Sequence, residues 1–449
     1  MTGQQFAKDR PVISSQRRNE IVDALRRGTV PRRSLDAFAV GLDAFETVVG
    51  EELAAVAAGS AKFKAVRGEY GSGKTFFVRW LQERAKREGF AAAEVQISET
   101  ETPLHRLETV YRRLTERLST ADAQQGALRA VLDNWFYVLE EDVLAEGGVV
   151  EGDAGGLLAR TTDLMERRLA AVARHAPAFA TALRAWRRAV AENERATAEA
   201  LLAWIGGQPN VGAAAKRYAG VKGDLDHFGA LSFLQGLLVI LRDSGFAGLM
   251  VVLDEVETLQ RVRSDVREKS MNALRQVLDE IDSGRFPRLY LVITGTPAFF
   301  EGPQGVQRLP PLAQRLAVDF SGAHRFDNPR APQVRLQNFD LARLQGVGRK
   351  VRDLYVTGAA APERVTRRAD DSYLNSLARA VTGSLGGRVG IAPRVFLKKL
   401  VQDVLDRIDL HPDFDPRRDY ALTLTDVELN DVERNARAAS TPDDVDLER

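Results

Sequence analysis

The stretch Gly68-Glu69-Tyr70-Gly71-Ser72-Gly73-Lys74-Thr75 reads G-x-x-x-x-G-K-T, and the chemistry of that spacing is phosphate binding. Its glycines let the backbone turn tightly enough to aim several N–H groups at one phosphate. Lys74 stands where an ammonium reaches the β- and γ-phosphates of a nucleotide, and the Thr75 hydroxyl stands where it can hold Mg²⁺. A second acidic pair, Asp254-Glu255, closes the apolar run Gly248 to Asp254. Beside a phosphate loop, Asp254 is expected to hold Mg²⁺ through water, with Glu255 orienting the attacking water and accepting its proton. Capping of the following helix is the plainer role for two acids at a strand end, and the phosphate loop favours the catalytic one. No Asn-Lys-x-Asp sequence for reading guanine occurs, so ATP is expected over GTP.

Three further residues stand where they could complete such a site. Thr294 ends the run Leu289 to Thr294, where a hydroxyl can contact the γ-phosphate or the water; the alternative is a plain turn within Thr294-Gly295-Thr296-Pro297. Arg315, in Pro311-Leu312-Ala313-Gln314-Arg315-Leu316, follows that run and could reach a neighbouring subunit's γ-phosphate in trans. Arg308, Arg325 and Arg330 compete with it for that role. Arg394 opens a helix after Gly390-Ile391-Ala392-Pro393 and could turn onto the phosphates. The histidines, including His105 and His227, have no metal-ligand spacing and are expected to be structural or solvated.

The elements that must position these residues follow the order the chemistry needs. Lys62 to Arg67 reads as a strand, and Thr75 to Arg87 carries Phe77, Trp80, Leu81 and Ala85 at helical spacing, so the phosphates would lie on a helix N-terminus. Ala91 to Ser98, Gly248 to Asp254, Leu289 to Thr294 and Gln333 to Leu336 read as further strands; the continuous apolar runs suit parallel strands buried on both faces. Alternation with helices predicts an α/β fold, a doubly wound parallel sheet of the P-loop type. Residues 19–118 and 248–340 are expected to form it. Residues 119–247, too many for one βαβ crossover and broken by glycines at 146–156, read as a helical insertion. Its Trp135-Phe136-Tyr137 and Trp186 read as core anchors. Residues 341–410 read as a small all-helical lid, 1–18 as a flexible N-terminus and 411–449 as an acidic C-terminal tail.

Composition narrows the classes further. The chain has 449 residues, 44% hydrophobic, with 63 Lys plus Arg against 62 Asp plus Glu and a net charge of +1. That balance argues against a general nucleic-acid footprint and leaves a local patch open. Pairs such as Arg32-Arg33 and Arg187-Arg188 fit solvated helix faces in an arginine-rich chain. Absence of cysteine excludes disulfides, thiolate metal sites and a cysteine nucleophile. Met1 to Arg18 has no apolar signal-peptide core, and the longest apolar run, Leu231 to Leu241, is too short to span a bilayer. A cytoplasmic location without membrane contact is expected.

The order Gly68–Thr75, Asp254-Glu255, Thr294, Arg315, Arg394 resembles the AAA+ ATPases over about 20–118 and 248–408, with the origin-recognition branch the nearest layout. That resemblance puts Val30-Pro31 and Val40-Gly41 where the adenine pocket begins. A closer likeness is to the ATP-binding proteins of bacterial phage-exclusion (BREX) systems of the BrxD type. It is carried by Arg27-Gly28-Thr29-Val30-Pro31, by Phe63 through Phe76, by Val95-Gln96-Ile97-Ser98-Glu99-Thr100-Glu101-Thr102-Pro103-Leu104, and by Asp133-Asn134-Trp135-Phe136-Tyr137. The resemblance implies ATP and Mg²⁺ as cofactors, phage defence and a companion helicase. Two readings follow. One is a homo-oligomeric ATPase motor or loader acting on DNA. The other is an ATP-dependent switch or scaffold that binds protein partners without touching DNA.

Overall fold

The structure is a computed structural model and describes residues 13–147, 154–385, 393–425, 427–429 and 433–434. In chain order the chain begins with α1 (Ser15–Arg26) and α2 (Asp43–Ala57), then β1 (Lys62–Arg67), α3 (Lys74–Arg87) and β2 (Ala91–Gln96). Among the described residues, seven helices then follow without a strand between them: α4 (Leu107–Arg117), α5 (Leu128–Glu146), α6 (Ala154–His175), α7 (Pro177–Ala191), α8 (Arg195–Ile205), α9 (Ala213–Ala219) and α10 (His227–Asp243). Next come β3 (Leu249–Asp254), α11 (Ser264–Asp282), β4 (Leu289–Gly295), α12 (Pro297–Glu301), α13 (Pro310–Leu316) and β5 (Gln333–Arg335). The rest is helical: α14 (Leu341–Val356), α15 (Pro362–Arg368), α16 (Asp371–Ser384), α17 (Pro393–Lys399), α18 (Asp406–Leu410) and α19 (Pro416–Asp419).

The described residues pack as two compact units. One takes in residues 48–67 and 84–334, and holds a five-stranded sheet in the order β2-β3-β4-β1-β5. The β2–β3, β3–β4 and β4–β1 pairs run parallel. Every residue of β3 and of β4 is buried, which is why both strands are continuous apolar runs instead of alternating ones. Tertiary order departs from chain order at β1. The chain passes from β1 to β2 beyond two strand positions later filled by β4 and β3, whereas β5 lies on the other side of β1.

Sheet and helical block share one core. Ala93, Val95, Leu253 and Ile293 of the strands belong to the same buried cluster as Trp135, Phe136, Phe179, Trp186 and Phe233 of the helices. Trp135 and Trp186 are buried, as expected of core anchors, and Tyr137 is exposed. A buried network crosses the same unit: Lys64 of β1 pairs with Glu52 of α2 at 2.6 Å, and the Tyr290 hydroxyl of β4 donates to the same carboxylate. Burial lowers the Lys64 pKa, Glu52 opposing, and raises that of Tyr290.

The other unit takes in residues 1–47, 68–83 and 335–449, insofar as they are described. Helices α1, α14 and α16 of this unit start on side-chain caps, which satisfy orphan N–H groups of their first turns. Ser14 accepts from Arg17 N–H, Asp340 from Arg343 N–H at 2.7 Å, and Asp370 from Tyr373 N–H at 2.8 Å. Asp406 ties α1 to α14, accepting from Arg26 Nε at 2.6 Å and the Tyr355 hydroxyl at 2.9 Å.

Several boundaries differ from expectation. Helix α1 starts at Ser15, inside a stretch whose polarity suggested a loose terminus, because Ser14 caps it and Ile21, Val22 and Leu25 are buried. Helix α4 starts at Leu107, after a turn in which the Arg106 N–H donates to the Pro103 carbonyl at 3.0 Å. The helix expected from Pro393 runs through a π-turn at Leu400–Leu405 between α17 and α18. Residues 148–153 of the glycine-rich break, Gly390-Ile391-Ala392 ahead of Arg394, and much of 411–449 lie outside the described residues.

Candidate functional site

In the unit built of α1, α3 and the C-terminal helices, Gly68–Gly73 leads directly into α3, a 14-residue helix whose last turn is basic. An anion at its N-terminus and cations at its C-terminus both suit the helix dipole. Gly71 and Gly73 hold φ of +81° and +90°, backbone that side chains rarely adopt. A Cβ on Gly68 would stand 2.3 Å from the Ser72 hydroxyl. That hydroxyl is buried and makes no hydrogen bond among the described residues. A glycine cradle that a Cβ would fill, with an orphaned hydroxyl inside it and helix N–H groups at its mouth, fits a phosphate group. Lys74 Nζ lies within the loop, donating to the Gly68 carbonyl at 2.8 Å and the Glu69 carbonyl at 3.3 Å, 5.1 Å from the Tyr70 ring centre. Thr75 is half-buried in the first turn of α3.

The first turn of α3 is walled by two other stretches of the same unit. Phe76 meets Phe38 edge to face, ring centres 5.2 Å apart, and Gly73 lies against the Phe339 ring. Val30 and Pro31 belong to the first stretch: the Val30 carbonyl accepts from Arg79 Nη1 of α3 at 2.8 Å, and Pro31 is buried. Gly41 lies against the Arg343 side chain. Arg394 lies beside Gly28, and its guanidinium is engaged by the C-terminal segment: Nε donates to Glu433 at 2.9 Å and Nη2 to the Glu428 carbonyl at 2.7 Å. Burial raises the Glu428 carboxyl, yet the bonds from Lys399 and the Thr425 N–H outweigh it and hold the group down at about 2.

In the sheet unit, the ends of β2, β3 and β4 bring together what the sequence held far apart. Asp254 is buried, and its Oδ1 accepts from the Thr294 hydroxyl. The Glu255 N–H is shared between Asp254 Oδ1 and Thr294 Oγ1, 3.1 Å from each. Thr294 thus fixes the orientation of Asp254 from the neighbouring strand. Glu255 sits in left-handed backbone, φ +60°, rare for a residue with a Cβ and a recurrent feature of functional sites. Its carboxylate accepts from Gln96 Nε2 at 2.8 Å. Gln96 is the last residue of β2 and pairs in register with Asp254. Reading the sequence for acids and hydroxyls missed it; a polar residue ending an Ala-rich buried strand is the signal that could have found it.

The competing arginines are all engaged within their own unit. Arg315 of α13 pairs with Asp279 at 2.5 Å and Asp282 at 2.9 Å, both on α11. Arg308 donates to the Pro303 carbonyl, Arg330 pairs with Glu51, and Arg325 lies over Phe326. His227 meets Gln276 at 3.2 Å, and burial lowers the His105 pKa. Among the described residues, no cluster of side chains has the makings of an all-protein metal site. None of their helices is long and apolar enough to cross a membrane.

Comparison with curated proteins yields no match. A family model does match, over residues 13–424, from the capped start of α1 past α19 and across both units. The chain belongs to the family of BREX system ATP-binding proteins BrxC/D.

Proposed function

We propose that this protein is a Mg²⁺-dependent ATPase of the AAA+ type that serves the phage defence its family implies. The observation that carries the proposal is the glycine-cradled loop Gly68–Thr75 opening α3, with Lys74 inside it. ATP supplies the phosphoanhydride bond, and Mg²⁺ the charge that offsets its oxygens. In this reading the loop N–H groups and Lys74 hold the phosphates, and Thr75 and Asp254 hold the metal. Glu255 takes a proton from the attacking water, Thr294 keeps Asp254 oriented, and Gln96 keeps Glu255 oriented. Residues 341–410 act as the lid on a doubly wound nucleotide domain, 119–247 as a grafted insertion, and Arg394 as a lid-borne contact. Arg315 is the residue offered to a neighbouring subunit, in the cytoplasm.

The family description supports ATP binding; hydrolysis is the step the proposal adds. Lys74→Ala is expected to abolish ATP binding measured by calorimetry, with an unchanged melting curve. Glu255→Gln is expected to bind ATP and lose about 10²–10⁴-fold in turnover, the usual worth of a general base. Unchanged affinity in a folded Lys74→Ala protein would overturn the site, and normal turnover in Glu255→Gln would move the base elsewhere.

A specific observation favours protein partners over a DNA track for the helical block. Tyr137 and Leu144, two turns apart on α5, are 59% and 49% exposed, and Leu158 on α6 is 48% exposed. Four arginines of α5, α6 and α7 pair with acids of the same block: Arg129 with Glu199, Arg168 with Asp142, Arg184 with Glu166 and Arg187 with Glu140. An ATP-timed switch that presents an apolar face fits this surface better than a basic groove does. The motor reading predicts salt-dependent DNA binding that is lost with the block, and a companion helicase is the partner that the family resemblance implies for either.

A further inference from the structure

The segment Val30–Gly41 is held to the phosphate-loop helix by three side chains of α3. Arg79 donates to the Val30 carbonyl at 2.8 Å, Trp80 Nε1 to Asp36 Oδ1 at 2.6 Å, and the two oxygens of Glu83 accept from the Ser34 and Leu35 N–H groups at 2.7 and 2.9 Å. Ser34 is in left-handed backbone, φ +59°, and opens the short 3-10 turn Leu35–Ala37. A strained, irregular segment of this kind keeps its shape only where its surroundings over-determine it. Of the three, Glu83 makes the bidentate, charge-assisted contact, to donors that no turn of their own can satisfy.

What this clamp fixes lies beside the phosphate loop. The same segment continues through Phe38, against Phe76 of the first turn of α3, and through Val40 and Gly41, against Gly346 and Arg343 of α14. A nucleotide whose phosphates lay on the α3 N-terminus would extend its ribose and base past the first turn of α3, the turn that this segment walls through Phe38 against Phe76. A purine's edge can be distinguished by fixed backbone N–H and C=O groups, provided the backbone does not move.

We propose that Glu83 is a positioning residue for the nucleobase: by gripping Ser34 and Leu35 it fixes segment 30–41 against α3 and so sets the preference for adenine over guanine. This rests on the reading of Gly68–Thr75 as the phosphate site. The plainer role is a stability cap on one 3-10 turn, and the two part company over which ligands are affected. A mere cap, once lost, loosens α3 and weakens every phosphate ligand alike. A positioning residue, once lost, weakens the ligand whose base the segment reads and spares a phosphate chain that has no base.

The test is calorimetry on the full chain with ATP, GTP and inorganic tripolyphosphate, for wild type, Glu83→Gln and Arg79→Met. Glu83→Gln keeps one acceptor and replaces the carboxylate; Arg79→Met removes the grip on Val30 and stands in if the first variant does not fold. The expected result is a loss of about ten-fold in ATP affinity, the worth of one charged hydrogen bond. GTP and tripolyphosphate should stay within about two-fold, so that the ATP-to-GTP preference falls by nearly the same factor. Equal losses for all three ligands, or an unchanged preference, would overturn the proposal and leave the phosphate site standing. Wild type that binds neither ATP nor tripolyphosphate would overturn the site itself.

Discussion

Glu255 combines a rare backbone conformation with three constraints. Its N–H is shared by Asp254 and Thr294, its carboxylate is held by Gln96, and its φ is +60°. Left-handed backbone costs a residue with a Cβ about 1–2 kcal/mol, so the neighbours hold in place a conformation the residue would not choose. Glycine adopts that conformation without the penalty. Glu255→Gly is therefore expected to stabilise the protein against urea by about 1 kcal/mol, less what its extra freedom in the unfolded chain removes. The same variant should lose hydrolysis as completely as Glu255→Gln. A variant less stable than wild type would mean that the strain is smaller than the Gln96 bond and the unfolded-chain freedom together, and retained hydrolysis would remove Glu255 from the chemistry.

Among the elements, α17 and the C-terminal segment are joined by a set of ion pairs. Glu428 accepts from Lys399 at 2.9 Å and pairs with Lys398 at 3.4 Å, while Glu433, itself buried, holds Arg394. The Glu428 carboxyl is depressed from 4.5 to about 2, so it binds protons less readily in the folded state than in the unfolded one. Its contribution to stability is then complete above about pH 4.5 and is lost as the pH falls toward 2. Glu428→Gln should be less stable than wild type at pH 7 in urea titrations. That difference should shrink as both are taken below pH 4.5, because Gln mimics the protonated acid. A difference that stays constant down to pH 3 would show that the ion pair is not its source.

At the scale of the whole molecule, the proposal requires subunits to complete one another. Arg315 pairs with Asp279 and Asp282 in its own chain, and all three side chains are about a third exposed or more. Surface pairs of this kind contribute about 0–1 kcal/mol, so they are weak competitors for a guanidinium that meets a polyphosphate. Mixing inactive Arg315→Ala with inactive Lys74→Ala protein is expected to restore hydrolysis, since one supplies an intact phosphate loop and the other an intact arginine. An arginine in trans is worth about 10³–10⁵ in rate, which makes even a small mixed population visible. Subunit exchange confirmed by pull-down of two tags, with no recovery of activity, would reject Arg315 as the residue acting across subunits.

The sequence by itself determined what depends on neighbours along the chain. The loop Gly68–Thr75 stood out in the sequence because a phosphate cradle, the role proposed for it, needs glycine, lysine and threonine at set offsets. Strands β3 and β4 were legible because burial on both faces demands unbroken apolar runs. The core role of Trp135, Phe136 and Trp186 followed from the large apolar area of their rings, whereas Tyr137, read the same way, is exposed because it stands on the outward side of α5. Tertiary structure alone decided the partners. Thr294 meets Asp254 from a strand 40 residues away, and Gln96 meets Glu255 from 159 residues away. Glu83 reaches back 49 residues to Ser34, Arg315 turns to α11, and Arg394 turns to Glu433. Strand order, register and helix packing fix which ends coincide, and these are properties of the whole buried core. Local propensity constrains where a strand starts and stops, and does not specify which strand lies beside it.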